Sequence, residues 1–203
     1  MNARELLDAE ELALLGEVLL PPADADADAP LPVNLPFGQL LLPLMERADH
    51  LLLVASYRHH LLRFPVRLQR DEFGRPTLAI DAPEILETGP TLRNWRLQPL
   101  APLRLLDPHG NDIQLRIHDL SVSGLSLEFD DPQTIPEQLN LQLELPECGT
   151  RLPLAAARVR HLDGQRVAYR LQPGDEALAE RLRWFLFQQH RALHGGDLEL
   201  QVA

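Results

Sequence analysis

The chain contains no lysine: all 19 of its basic residues are arginine, set against 30 Asp and Glu for a formal net charge of −11. A chain this acidic lacks the broad cationic face that displaces counterions from duplex nucleic acid, so no duplex partner is expected. Its single cysteine, Cys148, excludes an internal disulfide and a thiolate metal cluster, and it fits a reducing cytoplasm. Long apolar runs are missing too. The longest, Leu40–Met45 (broken by Pro43) and Leu51–Ala55, fall well short of the ~20 residues that span a bilayer, so no membrane span is expected. The start is acidic, with Glu5, Asp8, Glu10 and Glu11, which is the wrong chemistry for a secretory signal. The 203 residues read as a cytoplasmic protein of one large domain or two small ones.

What is present falls into three stretches. Residues 3–20 carry Leu7, Leu14, Leu15, Val18 and Leu19 at helical spacing. The Ala-Asp repeat of Pro21–Pro30 follows, and its like charges keep it extended. That helix is either a flap on the body or a tethered docking peptide. From residue 33 to residue 90 the pattern is β. Arg63–Arg70 alternates apolar and polar residues, Asp71–Arg75 with Gly74 makes a turn, and Thr77–Ile80 returns.

Beyond residue 91 the β pattern is clearer. Leu100–Asp107 is strand-like, and Ile113, Leu115 and Ile117 share one face. Leu125–Phe129, Leu139–Leu145, Leu154–His161 and Val167–Leu171 follow, with Asp163-Gly164 as a hairpin signal between the last two. Strands at this spacing predict a closed or nearly closed barrel. Asp175 then caps a helix whose buried stripe is Leu178, Leu182, Phe185, Leu186 and Leu193, ending at Gly195-Gly196. Such a helix most simply plugs one open end. The expected class is mainly β: a helix and linker over 1–32, a small β-rich domain over 33–90, and a six-stranded barrel with a C-terminal helix over 91–195.

Polar chemistry concentrates at two places. In Asp119-Leu120-Ser121-Val122-Ser123-Gly124, Asp119 and Ser121 share a face if the chain is extended, and Gly124 permits a positive φ or a close approach. Thr91–Leu106 holds Arg93, Arg96 and Arg104 with no carboxylate, a local cationic island. Trp95, inside it, either stacks on a ligand base or packs on the barrel mouth. His59 and His60 are adjacent, face opposite ways on a strand and cannot share an ion, so they read as a surface pair and no metal is expected. His118 and Asp119 diverge for the same reason, and no Gly-x-Ser-x-Gly elbow exists, so no enzyme is expected.

Together these segments resemble the PilZ domain, a six-stranded β-barrel family that binds the bacterial second messenger cyclic di-GMP. Asp119, Ser121 and Gly124 meet its [D/N]-x-S-x-x-G segment in full, and the Trp95-Arg96 pair looks like the aromatic-Arg pair common ahead of the barrel. Residues 33–90 look like the front domain of flagellar-brake proteins of the YcgR type, and Asp8–Leu15 faintly resembles the peptide that opens flagellar switch proteins. One departure stands out. The family's R-x-x-x-R segment would need an Arg at position 92, which is Leu92, and Arg93 with Arg96 forms R-x-x-R instead. The resemblance implies a cyclic di-GMP site of Arg93, Arg96, Asp119, Ser121 and Gly124. It also implies a protein partner such as the flagellar motor or pilus machinery, whose binding the ligand alters. The alternative is a ligand-independent adaptor with the same barrel.

Overall fold

The computed structural model describes residues 31–33, 38–131, 135–146, 149–163, 165–172 and 174–194. The expected helix over 3–20, the Ala-Asp linker, Cys148, Gly164 and Gly195-Gly196 lie outside the described residues. The chain divides into two compact units. Among the described residues, one comprises those up to Leu53 together with Phe64–Asp81, and the other comprises Val54–Arg63 and those from Ala82 onward.

The first unit holds strand β1 (Leu31–Val33), helix α1 (Gly38–Met45) and a hairpin. The hairpin joins the later residues of β3 (His60–Arg70) to β4 (Pro76–Ile80), with Leu68 opposite Leu78. Asp71 builds its turn: Oδ1 accepts from the N–H groups of Phe73 and Arg75, and Gly74 takes a φ of 73° that an L residue resists. β1 pairs antiparallel with β4. Phe64 and Ala79 are buried here, and Arg67 ties to Asp81 and Arg70 to Glu46 at the surface. Strand β2 (Leu51–Tyr57) alternates half-buried and exposed residues along its length.

In the second unit the first residues of β3, His60–Arg63, pair with β5 (Glu84–Glu87), and β5 pairs with β6 (Arg93–Asn94). A second sheet runs in the order β8-β7-β11-β12-β13-β10-β9. Its strands are β7 (Arg104–Leu106), β8 (Asp112–Ile113), β9 (Arg116–Ser121), β10 (Gly124–Glu128), β11 (Gln138–Glu144), β12 (Arg151–His161) and β13 (Arg166–Leu171). Neighbouring strands pair antiparallel, and the sheet curls as a half-barrel. The class is mainly β with a C-terminal helix, as the alternation implied.

Leu105, Leu120, Leu125, Leu127, Leu143, Leu152 and Val167 are each at most 1% exposed and form the sheet's apolar face, while Leu106, next to Leu105 on β7, is buried on the other side. Each such side chain contributes about 1.5–3 kcal/mol relative to exposure. Helix α2 (Glu176–His194) packs against β12. Asp175 caps it, its Oδ1 accepting from the Leu178 N–H at 2.8 Å. The buried stripe is Leu182, Phe185, Leu186, Phe187 and His190. Leu193, expected in that stripe, is 38% exposed, and the last buried position belongs to a histidine.

Candidate functional site

The segment ahead of the barrel sheet is held by backbone hydrogen bonds at both ends. Trp95 N–H donates to the Ile85 carbonyl at 2.8 Å, and Leu97 exchanges two bonds with Leu120 of β9, at 2.8 and 2.9 Å. The segment therefore alternates like a strand: Trp95 and Leu97 are buried, and Arg96 between them points out. Of the two sides open to Trp95, it takes packing. The same register lays the Arg96 guanidinium against the Asp119 carboxylate, where Nη1 donates to Oδ1.

On β9 the register is broken by a bulge. Ser126 opposes Asp119 but Leu127 opposes Ile117, so His118 has no partner of its own. Ile117 and Leu120, three residues apart, are both buried, and the polar pair His118-Asp119 is left on the outer side. Asp119 is then surrounded by donors. The Ser126 hydroxyl reaches Oδ2 at 2.6 Å, and His118 Nδ1 lies 3.5 Å from Oδ2. His118 Nε2 is in turn 2.9 Å from Arg166 Nη1. Burial pushes the Asp119 carboxyl up, but the hydrogen bonds from Ser126 and Arg96 outweigh it and hold it below the usual carboxylate range. This group stays ionised and can accept further N–H donors.

The other expected residues sit differently. Ser121 is fully buried, and its hydroxyl donates to the Gly124 carbonyl at 3.0 Å, closing the two-residue turn at Val122-Ser123. Between Asp119 and Ser121 the register is unbroken, Ser126 opposite Asp119 and Gly124 opposite Ser121, so the two lie on one face, where Ser121 is covered completely and Asp119 only in part. Gly124 does not take a positive φ; an added Cβ would lie 2.7 Å from the Tyr169 carbonyl oxygen, so glycine lets β13 approach β10. Arg93 is exposed in β6, its backbone paired with Glu87, and its side chain makes no hydrogen bond or ion pair among the described residues. The structure brings Arg96 and Asp119 together and leaves Arg93 unjoined to them.

Sequence reasoning missed four polar members of this edge: Asn94, His118 as a contact of Asp119, Ser123 and Ser126. Asn94 Nδ2 donates to the exposed Ser123 hydroxyl at 2.9 Å, a second tie between the strap and the β9–β10 turn. Ser126 was findable, since a two-residue turn at Val122-Ser123 pairs Ser121 with Gly124 and, further out, Asp119 with Ser126. The histidine expectation is corrected in part. His59 is exposed in a turn, but its neighbour His60 is half-buried against Trp95, His190 and His194, because β3 begins there and turns the ring inward.

A family model described as PilZ domain matches residues 91–188. Residues 91–188 of this chain are a PilZ domain. In the PilZ domain the strap carrying Arg96 and the bulged strand carrying Asp119 make the polar edge described above. A search of curated proteins finds no match. Solved structures similar to the chain include Bacillus subtilis inhibitor of motility (MotI/DgrA), at 11% identity and TM-score 0.39, covering 66% of this chain and 67% of that one. The Escherichia coli YcgR complex with c-di-GMP is 13% identical with TM-score 0.38, covering 88% and 81%. The K. pneumonia MrkH–c-di-GMP complex is 16% identical with TM-score 0.40, covering 75% and 74%. Among the described residues no helix is long and apolar enough to cross a membrane.

Proposed function

We propose that the PilZ domain is a cyclic di-GMP receptor whose polar edge is centred on Arg96 and Asp119, and that occupancy alters the binding of a protein partner. The observation that carries this is the pair of backbone bonds between Leu97 and Leu120, which seats an outward guanidinium on an ionised carboxylate. The ligand carries two phosphate charges and two guanine bases. Asp119 suits the guanine N–H donors, and Arg96 suits phosphate or the guanine O6 and N7 acceptors. Arg93, exposed three residues earlier, supplies the second fork. Ser121 and Gly124 act by shaping the hairpin that presents Asp119, and Ser123 offers the outward hydroxyl.

Arg96 and Asp119 are already paired, so the ligand must compete with that contact. An ion pair this exposed is worth about 0–1 kcal/mol, while a charge-assisted hydrogen bond contributes about 1.5–3 kcal/mol. The exchange is favourable for a dianion that engages both. The reading keeps a flagellar-brake arrangement, residues 33–90 ahead of 91–195 with 1–32 as helix and tether. The protein would act as a cytoplasmic, non-enzymatic effector on a flagellar motor or pilus partner, in motility or surface behaviour. By linkage the ligand shifts partner binding only by its differential affinity for the two forms.

One observation favours a second reading. Leu92, standing where the family has its first Arg, is 51% exposed, which suits a ligand-independent adaptor that meets only protein. Calorimetric titration with cyclic di-GMP decides between them. Saturable heat that falls by about one to two decades in affinity in Arg96→Ala and in Asp119→Ala supports the receptor. No heat at high micromolar ligand leaves the adaptor.

A further inference from the structure

Three of the eight histidines meet in the second unit. His190 and His194 lie four residues apart on α2, one turn above each other on a single face. His60 opens β3 directly after the Arg58-His59 turn, where Arg58 takes a φ of 52°, a left-handed value uncommon outside glycine. Thr88 holds that turn, its N–H and its hydroxyl both donating to the His59 carbonyl, at 2.7 and 2.8 Å. The end of α2 is held as well, by the Tyr57 hydroxyl donating to the His194 carbonyl at 3.0 Å. Local structure thus fixes both sides of the cluster.

We propose that His60, His190 and His194 form a three-imidazole binding site for a zinc-class divalent cation. One donor atom from each ring lies within 4.8 Å of the other two, and His60 Nδ1 is 3.1 Å from His190 Nε2. A tetrahedral ion with Zn–N bonds of 2.0–2.1 Å needs its nitrogens about 3.3 Å apart, so small ring rotations complete the set. Imidazole nitrogens suit zinc and its neighbours in the first transition row. The Glu87 carboxylate, on the cross-strand partner of His60, adds a field that favours a cation.

His60 and His194 are only half-buried, so a fourth position remains for water or another donor. A bound ion would clamp the last turn of α2 to the start of β3. The competing explanation is an aromatic cluster, with the Trp95 ring 5.0 Å from that of His190 and an imidazole–imidazole hydrogen bond inside it.

Zinc added to the untagged, chelator-treated full chain tests the assignment by calorimetry, with Co²⁺ absorption as a second readout of geometry. One saturable ion per chain is expected, with a tetrahedral-type Co²⁺ spectrum. His60→Gln and His194→Gln, with folding checked by circular dichroism, should each weaken zinc by at least ~10-fold, as loss of a direct ligand must exceed loss of an outer partner. The exposed controls His59→Gln and His161→Gln should bind as the parent does. Equal loss in the controls, no loss in the cluster variants, or no saturable binding at high micromolar zinc overturns the proposal. No nucleotide enters this experiment, so its outcome stands apart from the receptor reading.

Discussion

Around Asp119, the polar groups come from segments joined by backbone pairing: β10 follows β9 through a two-residue turn, and the strap is bonded to β9 at Leu97. Around His190, the groups come from a helix and from a strand 130 residues earlier, joined by side-chain contacts and side-chain hydrogen bonds rather than by backbone pairing. The first cluster is partly open and carries an ionised carboxylate among donors. The second is aromatic and more deeply set, with His190 3% exposed. The contrast is between an edge arranged by strand register, ready to exchange partners with a charged ligand, and a cluster that exists only while α2 stays docked.

The sharpest way to break that contrast is to loosen the helix. Leu186→Ala removes a buried side chain from the docked face and should cost about 2–5 kcal/mol in urea unfolding. The Asp119 carboxyl, followed by NMR titration, should be unmoved; a shift would mean that the two clusters are one unit. Ser126→Ala acts on the other cluster, removing a buried hydroxyl from a charged acceptor, and should cost about 1.5–3 kcal/mol. Its carboxyl should then titrate closer to the ordinary value. Gly124→Ala drives a Cβ into the Tyr169 carbonyl and should cost about 1–3 kcal/mol by forcing β10 from β13.

The pH dependence follows from Asp119. Its folded carboxyl titrates below the unfolded one, so the unfolded chain takes up the proton first as pH falls. The stability it contributes is complete above the unfolded value, about pH 4, and is lost as pH drops through the folded value. Asp119→Asn should flatten that segment of the stability–pH curve. The smallest effect belongs to Arg93→Ala, which should leave stability within about 0.5 kcal/mol while weakening cyclic di-GMP binding. Unchanged binding would remove Arg93 from the ligand site.

Much of the fold was legible because its signals are local. The Asp71 turn, the Asp163 hairpin and the Asp175 cap each use a side chain that bonds backbone within five residues, and all three form. The Arg96–Asp119 meeting was approachable for a related reason: both segments occur in a family pattern quoted from the sequence. Ser121 shows what alternation alone leaves open. Alternation puts Ser121 on the face of Asp119, but packing buries its hydroxyl against the Gly124 carbonyl, while the bulge at His118 sets that histidine beside Asp119 on the outer side. His190 failed differently: a histidine in an otherwise apolar helix stripe has no local mark of the rings it meets.

The residues themselves determined a mainly β chain with a PilZ segment and a capped terminal helix, because period-two patterning, turn chemistry and capping depend on near neighbours. Only the tertiary structure decided which hydroxyls face Asp119 and that His60 joins two helix histidines. Those outcomes depend on cross-strand register and on packing between distant segments, where one inserted residue or one docked helix reverses which side chains meet.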